Sequence, residues 1–166
     1  MNRIQKTLVL IAAVAVPAAA HSTFAPAPEN LCFASGATTY RIARNAAAPD
    51  FRIKIADDAA RADLRMQLVD RAEIADFVLV DDFSAKEQGA CRSSTPIRTV
   101  TLDAGIANPD VTINLSAGAA AADYKIYVHS VRFSQQDAAA LLAAMWKTGQ
   151  QREALNRQRE ATGSIR

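Results

Sequence analysis

His21 and His129 are the only two histidines in the 166-residue chain, and the place of the first decides what chemistry they could share. Ala18-Ala19-Ala20 stands directly before His21 and is the small-residue pattern that a signal peptidase accepts. Cleavage after Ala20 would make His21 the first residue of the mature chain. A terminal histidine offers one metal two nitrogens, its freed amine and its ring Nδ1. A second imidazole, His129, could complete a three-nitrogen T-shaped site, and amine with imidazole suits Cu(II). The alternative is plain: a flexible terminal residue at 21, and at 129 an exposed strand residue alternating with Tyr127 and Lys125.

With His129 as partner, His21 resembles the histidine brace of lytic polysaccharide monooxygenases and related periplasmic copper-binding proteins. The resemblance covers that one residue and its available partner. It implies copper as a cofactor and an immunoglobulin-like core, and the strand pattern of this chain is not read as such a core.

Asp81-Asp82 is the next candidate. The pair follows the apolar run Phe77 to Val80, and ligands gather beyond the carboxyl ends of strands in open α/β sheets. Two carboxylates there could contact a cation or a ligand. Successive strand residues point to opposite faces, so the pair need not converge, and Asp equally stops a strand and solvates a loop. Asp57-Asp58 has the same two readings. Ser93-Ser94-Thr95 offers hydroxyls, but a serine nucleophile needs a base within reach and no G-x-S-x-G elbow precedes any serine. No phosphate-binding loop, dinucleotide fingerprint, haem motif or zinc spacing occurs. No catalytic constellation can be assembled, so the reading leans away from an enzyme, with no cofactor expected and copper as the alternative.

The two cysteines, Cys32 and Cys91, are read as one disulfide, since an even count in an oxidising compartment points that way. The compartment follows from the N-terminus. Arg3 and Lys6 are basic, and Leu8 to Ala20 is uncharged and almost wholly apolar. That is the secretory layout, and the run is shorter than the roughly 20 apolar residues a membrane span needs. Cys32 follows Glu29-Asn30-Leu31 and so lacks the small residues of a lipidation site. Nineteen Lys and Arg against seventeen Asp and Glu leave a net charge of +2, and Arg3 and Lys6 depart with the leader. Near-neutrality gives no basis for nucleic-acid binding. The expectation is a bacterial periplasmic protein with residues 1–20 as signal peptide, 21–149 as globular domain and 150–166 as a polar tail, frayed helix or disordered. No membrane contact is expected after cleavage.

Period-two alternation predicts strands at Phe51 to Ile55 and Leu64 to Val69, and the continuous run Phe77 to Val80 is read as a central strand buried on both faces. Ile97 to Leu102, Val111 to Leu115 and Lys125 to Ser130 are read as an antiparallel meander, and Thr39 to Ala43 as a short strand or turn. Asp70 to Ala75 is long enough for one helical turn. Ser134 with Asp137 is a capping-box-like pair opening an Ala-rich helix whose stripe is Leu141, Leu142, Met145 and Trp146, weakened at Thr148-Gly149. No internal repeat stands out. The fold class is therefore α+β: a single mixed or mainly antiparallel sheet of about six strands with the C-terminal helix packed on one face. The stretch ADLRMQLVDRAEIADFVLVDD resembles strand–turn–strand modules of exported bacterial proteins, including the amino-terminal domains of periplasmic translocation factors. The functional expectation is a non-enzymatic accessory or binding module with a periplasmic protein or small ligand as partner.

Overall fold

A computed structural model describes residues 31–80, 91, 96–116 and 122–163. Among them, eight strands and one long helix follow in order: β1 (Leu31–Ser35), β2 (Thr38–Ile42), β3 (Phe51–Ile55), β4 (Leu64–Leu68), β5 (Phe77–Val80), β6 (Ile97–Leu102), β7 (Val111–Ser116), β8 (Tyr124–His129) and α1 (Gln135–Gly163). The α+β class and the single mixed sheet agree with the sequence reading. The strand number does not: β1 was not read, and β2 is a full strand. The turn expected near residue 72 is a 3-10 turn at Ala72–Ile74.

The direction of the strands is the larger correction. The order across the sheet is β1-β2-β6-β3-β7-β4-β8-β5, and only β1 and β2 pair antiparallel. The expected β6-β7-β8 meander does not exist, because β3 and β4 lie between those strands. What joins β1 to β2 is a tight turn at Gly36, whose φ of 56° is the left-handed region that glycine enters at no steric cost.

The chain is also internally repetitive, contrary to the sequence reading. β2, β3, β4 and β5 begin thirteen residues apart, at Thr38, Phe51, Leu64 and Phe77. β7 and β8 begin thirteen apart as well, at Val111 and Tyr124. Each strand of the second series slots between two of the first. Val111 and Ile113 thus stand beside Ile53 and Ile55, and Leu64 beside Ile113.

This interleaving explains how parallel strands are linked by connections shorter than the usual crossover of a dozen or more residues. Each connection steps over one five- or six-residue strand and returns along its outer side. Asn114 on β7 donates from Nδ2 to the carbonyls of Ala56 (2.8 Å) and Asp57 (3.1 Å) in the β3–β4 connection. Thr101 on β6 donates from Oγ1 to the Ala43 carbonyl (2.7 Å) in the β2–β3 connection. The sheet's own connections thereby cover part of the outer face, burying Thr101 and Asn114, while Arg52 and Lys125 stay exposed.

The inner face carries the core: Phe51, Ile53, Leu64, Met66, Leu79, Val100, Val111, Ile113 and Ile126 are buried against α1. The sheet curls into a half-barrel. Its two outermost strands approach each other, for the rings of Phe33 on β1 and Phe77 on β5 lie edge-to-face with centroids 6.0 Å apart. The helix lies in this trough, chiefly along β7 and β6. A concave wall explains its composition. Ala138, Ala139, Ala140, Ala143 and Ala144 are buried with Leu141, whereas Leu142, Met145 and Trp146 are only partly so. The contact surface is therefore broader and smaller-grained than the expected leucine stripe.

The capping box is present. Ser134 Oγ accepts from the Asp137 N–H (3.1 Å), and Asp137 Oδ2 accepts from the Ser134 N–H (3.0 Å) and hydroxyl (2.7 Å). Thr148 does not weaken the helix. Its hydroxyl donates to the Ala144 carbonyl (2.8 Å) and accepts from Tyr40 on β2 (3.2 Å), which fastens helix to sheet. Beyond it residues 150–160 are helical and exposed, so the polar tail begins as ordered helix.

Candidate functional site

The thirteen-residue period places an aspartate at the entrance of one strand after another: Asp50, Asp63, Asp76, Asp110 and Asp123. Each does the same work. The Asp50 N–H donates to the Thr99 carbonyl (2.9 Å), and Asp50 Oδ2 accepts the Thr99 N–H (2.7 Å). Asp63 grips Thr112, and Asp76 grips Lys125, in the same two-point way. In the opposite direction Asp110 grips Arg52 and Asp123 grips Arg65. A strand that has just left a tight connection has no preceding carbonyl in register to accept its neighbour's N–H. The carboxylate takes that place with a charge-assisted bond. Asp is poor inside a strand and suited to its entrance for this reason.

At Asp123 an ion pair is added: Arg65 reaches Oδ1 at 2.8 Å and Oδ2 at 3.1 Å. The Arg65 side-chain and backbone bonds hold the Asp123 carboxyl below the usual carboxylate range. The carboxylates that look most like a chemical array are therefore structural acceptors, each already engaged. Asp58 is similar, since it caps the 3-10 turn Ala59–Arg61 by accepting the Ala60 N–H (2.9 Å).

The two cysteines form the expected disulfide, with Cα atoms 5.3 Å apart. It joins β1 to the segment that follows β5, across the two ends of the strand order. His129 is exposed at the end of β8, with its ring stacked on Tyr127 at 6.5 Å. His21, Asp81, Asp82 and the hydroxyls at 93–95 lie outside the described residues, and so does any pairing of His129 with His21. Among the described residues no group of three or more His, Cys, Asp or Glu could hold a metal. Asp137 is buried at 2% exposure; its Oδ2 makes the helix cap, and its Oδ1 faces the Arg44 guanidinium at 3.6 Å.

What the structure reveals instead is an edge. Phe77 to Val80 is not a central strand; β5 ends the sheet and pairs only with β8 among the described residues. The outward positions of the earlier repeats are Arg52 and Lys54 on β3, and Arg65 and Gln67 on β4. On β5 the same positions are Val78 and Val80, exposed at 42% and 52%, with Ile74 exposed in the preceding turn. Ordinary edge strands carry charge or proline against unwanted pairing, and β5 carries neither. The continuous apolar run FVLV predicts burial on both faces, whereas in the sheet it marks an uncharged edge. The signal that distinguishes the two is the repeat, in which those positions are otherwise polar.

No family model, curated protein or solved structure matches the chain.

Proposed function

We propose that this chain is a non-enzymatic binding module exported to the bacterial periplasm, and that it engages a partner protein through the edge of β5 that faces away from β8 and carries no paired strand among the described residues. The observation that carries the reading is the exposure of Val78 and Val80 on an uncharged terminal strand. Export rests on the leader layout of residues 1–20, with which the Cys32–Cys91 disulfide is compatible.

The test compares affinity capture from periplasmic extract by the wild-type chain and by Val78→Lys/Val80→Lys, after both are shown to melt alike. A partner held by the wild type and released by the variant is the expected result. Identical captured sets, or none, would remove the edge as the working surface. Mass spectrometry of the periplasmic product should find His21 at its start; an intact leader would overturn the export reading.

His129, exposed at the end of β8, keeps one second reading in play, copper held with a terminal His21. Cu(II) titration of the processed protein tests it. Stoichiometric binding lost on adding one residue before His21 supports the site, and indifference to that residue overturns it.

A further inference from the structure

We infer that the β5 edge receives an extended peptide, parallel to β5, in which an aspartate is followed by an apolar–polar–apolar stretch. The inference rests on the binding-module reading and gives the partner its chemistry.

The sheet supplies the template. Its first series, β2 to β5, leaves three gaps, filled by β6, β7 and β8. The place beyond β5 is the next position in that alternation. Thirteen residues after Asp123 the chain has reached Gln136, already in α1, so the second series stops one strand early. Inside the sheet, the N–H of Arg52 meets the carboxylate of Asp110 and the N–H of Arg65 meets that of Asp123. Val78 is the third member of this set, and its N–H has no acceptor among the described residues. On β4, Arg65 and Val69 turn their N–H groups toward β8. The same alternation turns those of Val78 and Val80 to the side away from β8, which carries no paired strand among the described residues.

An occupant that completes the pattern must bring a carboxylate for the Val78 N–H and a backbone N–H for the Val78 carbonyl, the two bonds that Asp110 and Asp123 make. The residue after its aspartate falls where Val111 and Tyr124 fall in the sheet, on the inner side, and beneath the β5 edge that side presents Phe77 and Phe33. An apolar residue is required there. The occupant is a different polypeptide and not a second copy, because β3, β4, β7 and β8, the strands in which an aspartate precedes an apolar–polar–apolar stretch, are already paired on both sides in a folded copy. Strand addition to a sheet edge takes its affinity from main-chain bonds and its selectivity from alternate side chains.

The probe is a labelled peptide of residues 108–116 (NPDVTINLS), which carries Asp110 and β7, titrated into the disulfide-bonded protein by fluorescence anisotropy. Saturable binding is expected, about tenfold weaker when the peptide's aspartate is replaced by alanine. Val78→Pro in the protein deletes the one N–H in question and should abolish binding with an unchanged melting temperature, since proline is accepted on an edge strand where the N–H faces outward. Should that variant unfold, amide exchange in the wild type decides: peptide should slow exchange at Val78 and Val80, and unslowed exchange overturns the inference. So does absence of saturation, or binding indifferent to the aspartate. Self-association broken by Val78→Lys also overturns it, with a second copy as the occupant. Partner capture that still depends on Val78 and Val80, beside a peptide that does not bind, leaves the binding module standing and removes only the peptide.

Discussion

An aspartate at a strand entrance does what a backbone carbonyl would do in a longer ladder, and five such residues hold the interleaved strands in register. Replacing Asp63 by Ala leaves the Thr112 N–H without its carboxylate acceptor; urea unfolding should show a loss of about 1 kcal/mol. Asp123 adds a pH dependence. Arg65 lowers its folded-state pKa, so its contribution is full above the ordinary aspartate range and disappears as pH falls through the depressed value. The stability advantage of wild type over Asp123→Asn should therefore shrink on acidification below about pH 4. A constant difference across that range would show that the Arg65 pairing does not stabilise the fold. The signature was present in the sequence: Asp directly precedes Phe51, Leu64, Phe77, Val111 and Tyr124, each time after Ala or Pro. A single Asp explains a turn well, and only the fixed spacing shows a shared task.

At the level of elements, alternation located β3 and β4, and apolar runs between turn-like segments located β5 to β8, with nearly correct limits, since such patterns are local to a few residues. Pairing partners were not legible. β6, β7 and β8 follow each other through short turn-like segments, one with Asn108-Pro109-Asp110 and one rich in alanine, which equally suits hairpins and the observed steps over a neighbouring strand. The helix shows the same limit. Its start is written in Ser134 and Asp137, but the need for alanine comes from a concave sheet that no helical periodicity reports. Ala139→Leu should push the buried half of the helix off the trough and cost about 1–3 kcal/mol by chemical denaturation. Ala154→Leu, on the exposed half, should stay within about 0.5 kcal/mol.

Across the whole molecule, the parallel pairings link residues far apart in the chain, and the disulfide ties the two ends of the strand order. Cys32 and Cys91 are 59 residues apart. Constraining a loop of that length in the unfolded chain is worth about 4 kcal/mol in the chain-entropy treatment. Thermal melting after reduction, or of Cys32→Ser/Cys91→Ser, should show a loss of that order. A reduced protein as stable as the oxidised one would mean that the curled sheet and helix alone hold β1 beside β5. The interleaving also predicts slow refolding with the disulfide broken, because β2 to β5 cannot acquire their partners until β6 to β8 arrive.

Neighbouring residues alone located β3 to β8 and the helix and showed how the helix begins, and a count of two showed which cysteines can pair; β1 escaped both. Tertiary structure alone decided that β5 is an edge, that the aspartates are clamps, and that alanines line the trough. The physical reason is the same in each case: a residue's exposure and hydrogen-bond partners are set by strands arriving from about fifty residues away, and that proximity is created only when the two series interlock.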